Sequence, residues 1–324
     1  MNPPRLASHA VALAAAAILT LPRAAFSWSK IGHSTIGQIA QDQLKNSSDP
    51  ASQTALANIK ILLNTSSDQA LANLAPCADS VRASPAAPGY PAINAGDPIN
   101  CGGLSLVANN DSAPWHFINI PTTAQAAPAS VTTYCPGGNC VVGAINRNVQ
   151  VLSDASASIS DKQVALMYVS HFVGDEHQPL HCTTEITNGQ DDRGGNGKQV
   201  KLNGAALNLH ALWDHLIEAK DDYPVDIASL ETLPADADQW TQGDFVTTAA
   251  VESFTIAKDT IYPAYHQLAN SASDRVPDFG SDQAQYQVIA NQRLQMAGVR
   301  LAALLKQALG GQPLSAPAAT AAAR

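Results

Sequence analysis

His171-Phe-Val-Gly-Asp175-Glu-His177-Gln-Pro-Leu-His181 is the stretch on which the reading of this chain turns. The residues leading into it, Gln163 to His171, are apolar on a broad face, so the spacing predicts a helix entering the histidines. On that helix His171 and Asp175 stand one turn apart on the same face, where two side chains can meet one metal ion. Pro179 ends or bends the helix and lets His181 swing toward a different position. Asn208-Leu-His210-Ala-Leu-Trp-Asp214 repeats the His/Asp spacing. A lone histidine on an apolar face is usually a satisfied core residue; two such pairs plus a third histidine favour metal ligation.

Helical periodicity extends outward from this stretch. Ile36, Ile39, Ala40 and Leu44 recur at helical spacing, a second series runs through Ile59, Ile61, Leu62 and Leu63, and Gln285 to Leu309 forms a third. The best strand signal is Gln199-Val-Lys-Leu202 followed by Asn203-Gly204, a hairpin candidate. Ala83 to Pro114, rich in Pro, Gly and Asn, reads as a long surface excursion, and Gly310 to Arg324 as an Ala/Pro-rich disordered tail. No repeat or linker divides the chain. The expected fold class is all-α: one multi-helix domain over residues 28–309 with long surface loops and at most a small β-hairpin.

Composition fits that expectation. Of 324 residues, 45% are hydrophobic and 14% charged, the balance of a packed globular protein. The net charge of −9 argues against the broad basic footprint of a sequence-specific nucleic-acid binder. It leaves open an enzyme whose positive field comes from bound metal.

Residues 1–27 read as a secretory signal: Arg5, the uncharged apolar run Ala10 to Leu21, then the small residues Ala25 and Ser27. That run is short of the ~20 residues that span a bilayer, so no membrane anchor is expected in the mature form. Cleavage after Ser27 makes Trp28 the first residue of a secreted or periplasmic protein. All five cysteines lie beyond that point and are disulfide candidates. Cys135 and Cys140 flank Pro-Gly-Gly-Asn, and Cys77 with Cys101 is the next pairing. Cys182 is left over, as a buried thiol or the partner in another pairing. No CxxC spacing marks a thiolate zinc site, so any metal relies on His and carboxylates. Asn46-Ser-Ser and Asn64-Thr-Ser are glycosylation sequons in a eukaryotic host.

Three further elements complete a constellation: Cys77-Ala-Asp79-Ser-Val-Arg82, Trp115-His116-Phe117-Ile-Asn119, and Trp28-Ser-Lys-Ile-Gly-His33. Together with the two His/Asp stretches, this set resembles the zinc-dependent single-strand nuclease family (S1/P1 type), whose fold is shared with bacterial zinc phospholipases C. The match is closest from Trp28 to about Asp214. The resemblance implies three zinc ions. One is held by the α-amino nitrogen and carbonyl oxygen of Trp28 with His33, a second by Asp79, His116 and His171, with Asp175 bridging the two. The third is held by His181, His210 and Asp214. It further implies hydrolysis of phosphodiester bonds in single-stranded RNA and DNA, leaving 5′-phosphates. Asp79 and Asp175 then stand among the catalytic residues, and Arg82 binds a phosphate oxygen. No obligatory protein partner is evident.

Phe117 matches a family aromatic that stacks on a base, or else is a core phenylalanine. Asn119 stands at a base-contacting position that is Asp in fungal relatives, which leaves base preference open. Arg82 has the alternative of a surface salt bridge. Asp192-Arg193-Gly194-Gly195-Asn196 resembles a loop bordering the cleft. His177 is expected to orient a ligand or cap the bend, while His215 and His266 read as surface or packing residues. Against the alternative of a zinc phospholipase C stand the short Trp28–His33 interval and Asp214, where the phospholipases use Glu. Against a non-catalytic zinc protein stands Arg82 beside a full ligand set.

Overall fold

The computed structural model describes residues 28–82, 94–124, 131–216 and 227–314. Ser29 opens the first helix, its Oγ accepting the Gly32 N–H at 3.4 Å, and α1 runs Lys30–Asn46. Asp49 and Pro50 start α2 (Pro50–Leu62): the Asp49 carboxylate accepts the Ala51 N–H, and proline at the first position lacks a donor the helix would leave unpaired anyway. Two short helices follow, α3 (Ala70–Leu74) and α4 (Cys77–Val81). A hairpin of β1 (Pro98–Cys101) and β2 (Leu104–Val107) leads to a 3₁₀ helix, Asn110–His116, and to β3 (Ile120–Pro121). Next come α5 (Val141–Ser153) and α6 (Ile159–His177), which carries the diagnostic histidines.

Pro179 ends α6 as the spacing predicts. Gln178 turns extended (φ −81°, ψ 116°), the conformation imposed on a residue before proline, and a 3₁₀ turn, Pro179–Cys182, delivers His181. β4 (Thr183–Thr184) pairs in parallel with β3, joining the segment after His181 to the segment after His116. β5 (Ile186–Thr187) and β6 (Gln190–Asp191) form one ribbon. β7 (Gln199–Leu202) and β8 (Ala205–Asn208) form another around Asn203-Gly204, both at positive φ as a tight hairpin turn requires. Asn208 then caps α7 (Leu209–Asp214). The remainder is helical: α8 (Ile227–Glu231), α9 (Phe245–Ile256), a π turn, Ala257–Ile261, then α10 (Tyr262–Ser271) and α11 (Gln283–Leu309).

The mostly helical architecture stands as expected, and so does the Asn-Gly hairpin. Among the described residues there are four small strand pairs rather than one, each two strands wide. Of the three beyond the Asn-Gly hairpin, β1–β2 lies inside the expected surface excursion and alternates in burial, while β3–β4 and β5–β6 are two-residue pairs set by the loops they close. From Ala165 to His177 every residue of α6 is buried, so this helix is the axis of the domain, with α1, α5, α9 and α11 packed around it. The predicted apolar stripe of α1 is inside: Ile36, Ile39 and Leu44 are fully buried, each worth about 1.5–3 kcal/mol.

Two disulfides form, Cys77–Cys101 and Cys135–Cys140, while Cys182 is a buried free thiol whose Sγ donates to the Glu176 carbonyl. The first ties α4 to the β1–β2 hairpin. Residues 310–314, assigned to the tail by composition, are fastened to α2. Asn58 Nδ2 donates to the Leu309 and Gln312 carbonyls, and Leu314 N donates back to Asn58 Oδ1. The expected signal segment, residues 83–93 of the excursion and residues 315–324 lie outside the described residues. Among the described residues no helix is long and apolar enough to cross a membrane.

Candidate metal centre

Four elements converge where α1, α4 and α6 meet. His33 comes from the first turn of α1, Asp79 from α4, His116 from the end of its 3₁₀ helix, and His171 and Asp175 from successive turns of α6. The His33 ring stacks on His171 with centroids 3.9 Å apart and planes 11° from parallel. Gly174 makes that approach possible, since a Cβ there would lie 2.8 Å from His33 Nδ1. Asp175 is fully buried and divides its two oxygens. Oδ1 faces His33 Nε2 at 3.4 Å, and Oδ2 faces His116 Nδ1 at 2.9 Å and His171 Nε2 at 3.2 Å. Asp79 Oδ1 lies 3.7 Å from both His116 Nδ1 and His171 Nε2, and 3.9 Å from an Arg82 guanidinium nitrogen.

A second group lies alongside. His181, on the turn after Pro179, and His210 and Asp214, one turn apart on α7, bring their donor atoms within 4.8 Å of one another. His33 with Asp79 and His171, and His116 with His171 and Asp175, meet the same criterion. The groups are mechanically joined, because His181 Nδ1 donates to the His116 carbonyl at 2.6 Å. Gln178 Nε2 donates to Asp214 Oδ1 at 2.7 Å, while its Oε1 accepts the Leu180 N–H, which fixes the amide orientation.

The tautomers show what these groups fit. His181 Nδ1 gives its proton to the His116 carbonyl and His210 Nδ1 gives its own to the Gly194 carbonyl at 2.7 Å. Both Nε2 atoms therefore carry lone pairs, yet they face each other at 3.1 Å. Burial, and for His181 also the neighbouring His210, holds both pKa values down, that of His210 to about 4, so no proton bridges them at neutral pH. Converging neutral imidazoles with a carboxylate beside them fit a cation of the zinc type, and the outward Nδ1–H bonds are the partners that orient such ligands. His171 repeats the pattern, donating from Nδ1 to the Ala75 carbonyl and turning Nε2 inward. Asp79 Oδ1 is buried without a hydrogen bond, as an atom facing an ion would be.

Burial pushes the Asp175 carboxyl up to about 7 against the pull of His171. Burial likewise holds His33 and His116 well below 6.5, with His171 adding to both. His171 runs the other way, because Asp175 and Asp79 outweigh its burial.

A family model described as S1/P1 nuclease matches residues 28–310. The chain belongs to the S1/P1 nuclease family. Endonuclease 2 of Arabidopsis thaliana is 30% identical over 304 residues, covering 87% of this chain and 91% of that one. Nuclease S1 of Aspergillus oryzae is 28% identical, covering 70% and 72%. Nuclease P1 of Penicillium citrinum is 28% identical, covering 60% and 59%. As an S1/P1-type nuclease the protein is a phosphodiester hydrolase, which decides against the phospholipase alternative at the level of family.

Within this family member, Trp28 is fully buried, and Ser29 N donates to the Asp214 carbonyl at 3.2 Å, so the segment at Trp28 lies against the helix of the last acidic residue. Arg82 is part-buried beside Asp79 and joins burial in lowering His116 and His210. Phe117 is 38% exposed, which removes the core reading. Phe117 and Asn119 both face outward, while Ile118 and Ile120 face in along extended backbone. His177 is not in the cluster: Nδ1 donates to the Val173 carbonyl and Nε2 accepts from Arg300. It braces the end of α6 against α11. His215 and His266 are exposed, as expected, and His266 pairs with Glu185 at 2.8 Å. Reading the sequence missed Gln178, whose place inside the histidine motif was the only signal of a role.

Proposed function

We propose that the protein is a secreted zinc-dependent endonuclease that hydrolyses single-stranded RNA and DNA to 5′-phosphate products. The observation that carries this reading is the facing of unprotonated imidazole nitrogens beside carboxylates in a buried centre. One zinc would be held by Trp28 and His33, a second by Asp79, His116 and His171, with Asp175 shared between them, and a third by His181, His210 and Asp214. Zinc at such ligands supplies Lewis acidity toward water and phosphoryl oxygen.

The chain's own residues supply the rest. Asp175 offers one oxygen to each side and so holds two ligand sets in register. Arg82, already beside Asp79, presents a guanidinium that fits a non-bridging phosphate oxygen. The exposed Phe117 ring, next in sequence to His116, offers a stacking surface for a base, and the exposed Asn119 amide offers both a donor and an acceptor to its edge. An unpaired nucleotide leaves its stack cheaply to bring its phosphate to a recessed centre, which supports single-strand preference. Two disulfides fit an oxidising compartment and support export.

The test combines metal analysis with substrate choice. Purified mature protein is expected to carry three zinc ions and to cleave denatured DNA and RNA to 5′-phosphate ends. Turnover of phosphatidylcholine without cleavage of either nucleic acid would sink the proposal.

A further inference from the structure

The loop Asp192–Asn196 does more than border a cleft. Asp192 is buried, and its carboxylate gathers two donors from two parts of the chain. Oδ1 accepts the Glu185 N–H at 2.9 Å and Oδ2 accepts the Tyr262 hydroxyl at 2.8 Å, while the Thr184 hydroxyl, which donates to the Asp191 carboxylate, lies 3.2 Å from Oδ1. Thr184 and Glu185 follow directly on the turn that delivers His181. The Asp192 main chain bonds the Glu185 carbonyl and the Gly197 N–H, closing the loop on itself. Two residues on, the Gly194 carbonyl takes the His210 Nδ1 proton. Gly194 sits at φ +63°, and a Cβ there would collide with the Leu180 carbonyl, so this loop lies directly on the Leu180–Thr183 segment.

We infer that Asp192 is a positioning residue for the His181/His210 pair, and that Tyr262 positions Asp192. This inference rests on the three-zinc reading above. One carboxylate fastens the segment after His181 to the loop that aims His210, so the 3.1 Å separation of the two Nε2 atoms is set through Asp192. Tyr262, 2% exposed, comes from the distant π-to-α10 junction and anchors the arrangement to the helical body.

The experiment measures zinc content and zinc retention against a graded chelator in the full mature chain, alongside melting temperature. Asp192→Ala is expected to release one of three zinc ions at about 10–100-fold lower chelator concentration, the usual scale for losing an outer partner of a ligand. Tyr262→Phe is expected to shift the same ion in the same direction by less. Asp192→Asn should restore most of the retention, because its amide oxygen still accepts the Glu185 N–H and its nitrogen can donate to the Tyr262 oxygen. Where Asp192→Ala fails to fold, Tyr262→Phe decides. Lowered melting temperature with unchanged zinc retention in the folded variants overturns the inference alone. Wild-type protein with fewer than three zinc ions overturns the underlying reading and this inference together.

Discussion

Metal-free protein is expected to lose stability steeply as the pH falls below 6.5. Five buried histidines, His33, His116, His177, His181 and His210, have pKa values held below that figure, with burial the first cause in each. A histidine whose folded pKa is depressed stays neutral in the native chain and takes a proton on unfolding. Its stabilising contribution is complete above 6.5 and is lost as the pH falls toward the folded value, which for His210 is about 4. Asp175 opposes them: burial raises it to about 7, so the native chain binds its proton while the unfolded carboxyl, at 3.8, does not. His171, raised, is protonated in both states below 6.5 and adds no slope there. Glu176, raised well above 4.5 by burial, opposes the five histidines as well. Five histidines against two carboxyls leave a net of about three protons, or at most roughly 4 kcal/mol per pH unit. That rivals a typical total stability of about 5–15 kcal/mol. The assay is urea unfolding at half-unit steps from pH 7.5 to 5, on chelated and zinc-loaded protein, followed by the fluorescence of the buried Trp28 and Trp213. The chelated midpoint should fall sharply below pH 6.5, and the loaded one should start higher but fall at least as steeply, because liganded nitrogens take up no protons until unfolding frees them. A flat midpoint for folded, chelated protein from pH 7 to 5.5 would refute the reasoning.

Asp175→Asn should cut nucleic-acid cleavage by more than the roughly hundredfold cost of losing an outer partner, and lower the zinc content; a folded, fully active variant would show that Asp175 bridges nothing. Phe117→Ala should raise KM for single-stranded substrate by roughly ten- to a hundredfold, the worth of one stacked base, with little change in melting temperature; steady-state kinetics on a short oligonucleotide measures it. Glu252 pairs with both Arg293 and Arg300, each 2% exposed, so Glu252→Gln should cost about 3 kcal/mol in urea unfolding, toward the low end for a broken buried pair because Glu252 is itself part-exposed. One residue added before Trp28 should remove one zinc and most activity, read by metal analysis with N-terminal sequencing; full zinc content with the extension in place contradicts the amine's role.

The His171–His181 stretch was legible because helix period and proline chemistry are local. Two residues four apart share a face whatever the fold, and Pro179 stops a helix in any context. The hairpin at Asn203-Gly204 was legible for the same reason, since positive φ selects those residues. The extra strand pairs were not. β3 and β4 lie 63 residues apart and pair because His116 and His181 must sit side by side, a tertiary requirement with no local pattern. Phe117 was undecided in sequence, since a phenylalanine among Trp115, Ile118 and Ile120 reads equally as core; only the extended backbone after His116 turned it outward.

What sequence conceals most completely is the layer behind the histidines, because much of it is made of backbone. His171, His181 and His210 are aimed by the carbonyls of Ala75, His116 and Gly194, and any residue type has a carbonyl. A carbonyl orients a ring only if its own peptide is immobile. The immobility comes from elsewhere: the Cys77–Cys101 disulfide just after Ala75, the β3–β4 pairing beyond His116, and the Asp192–Tyr262 bond behind Gly194. Each clamp joins segments far apart in the chain. A motif can therefore name the rings, while the direction each nitrogen points is a property of the whole domain.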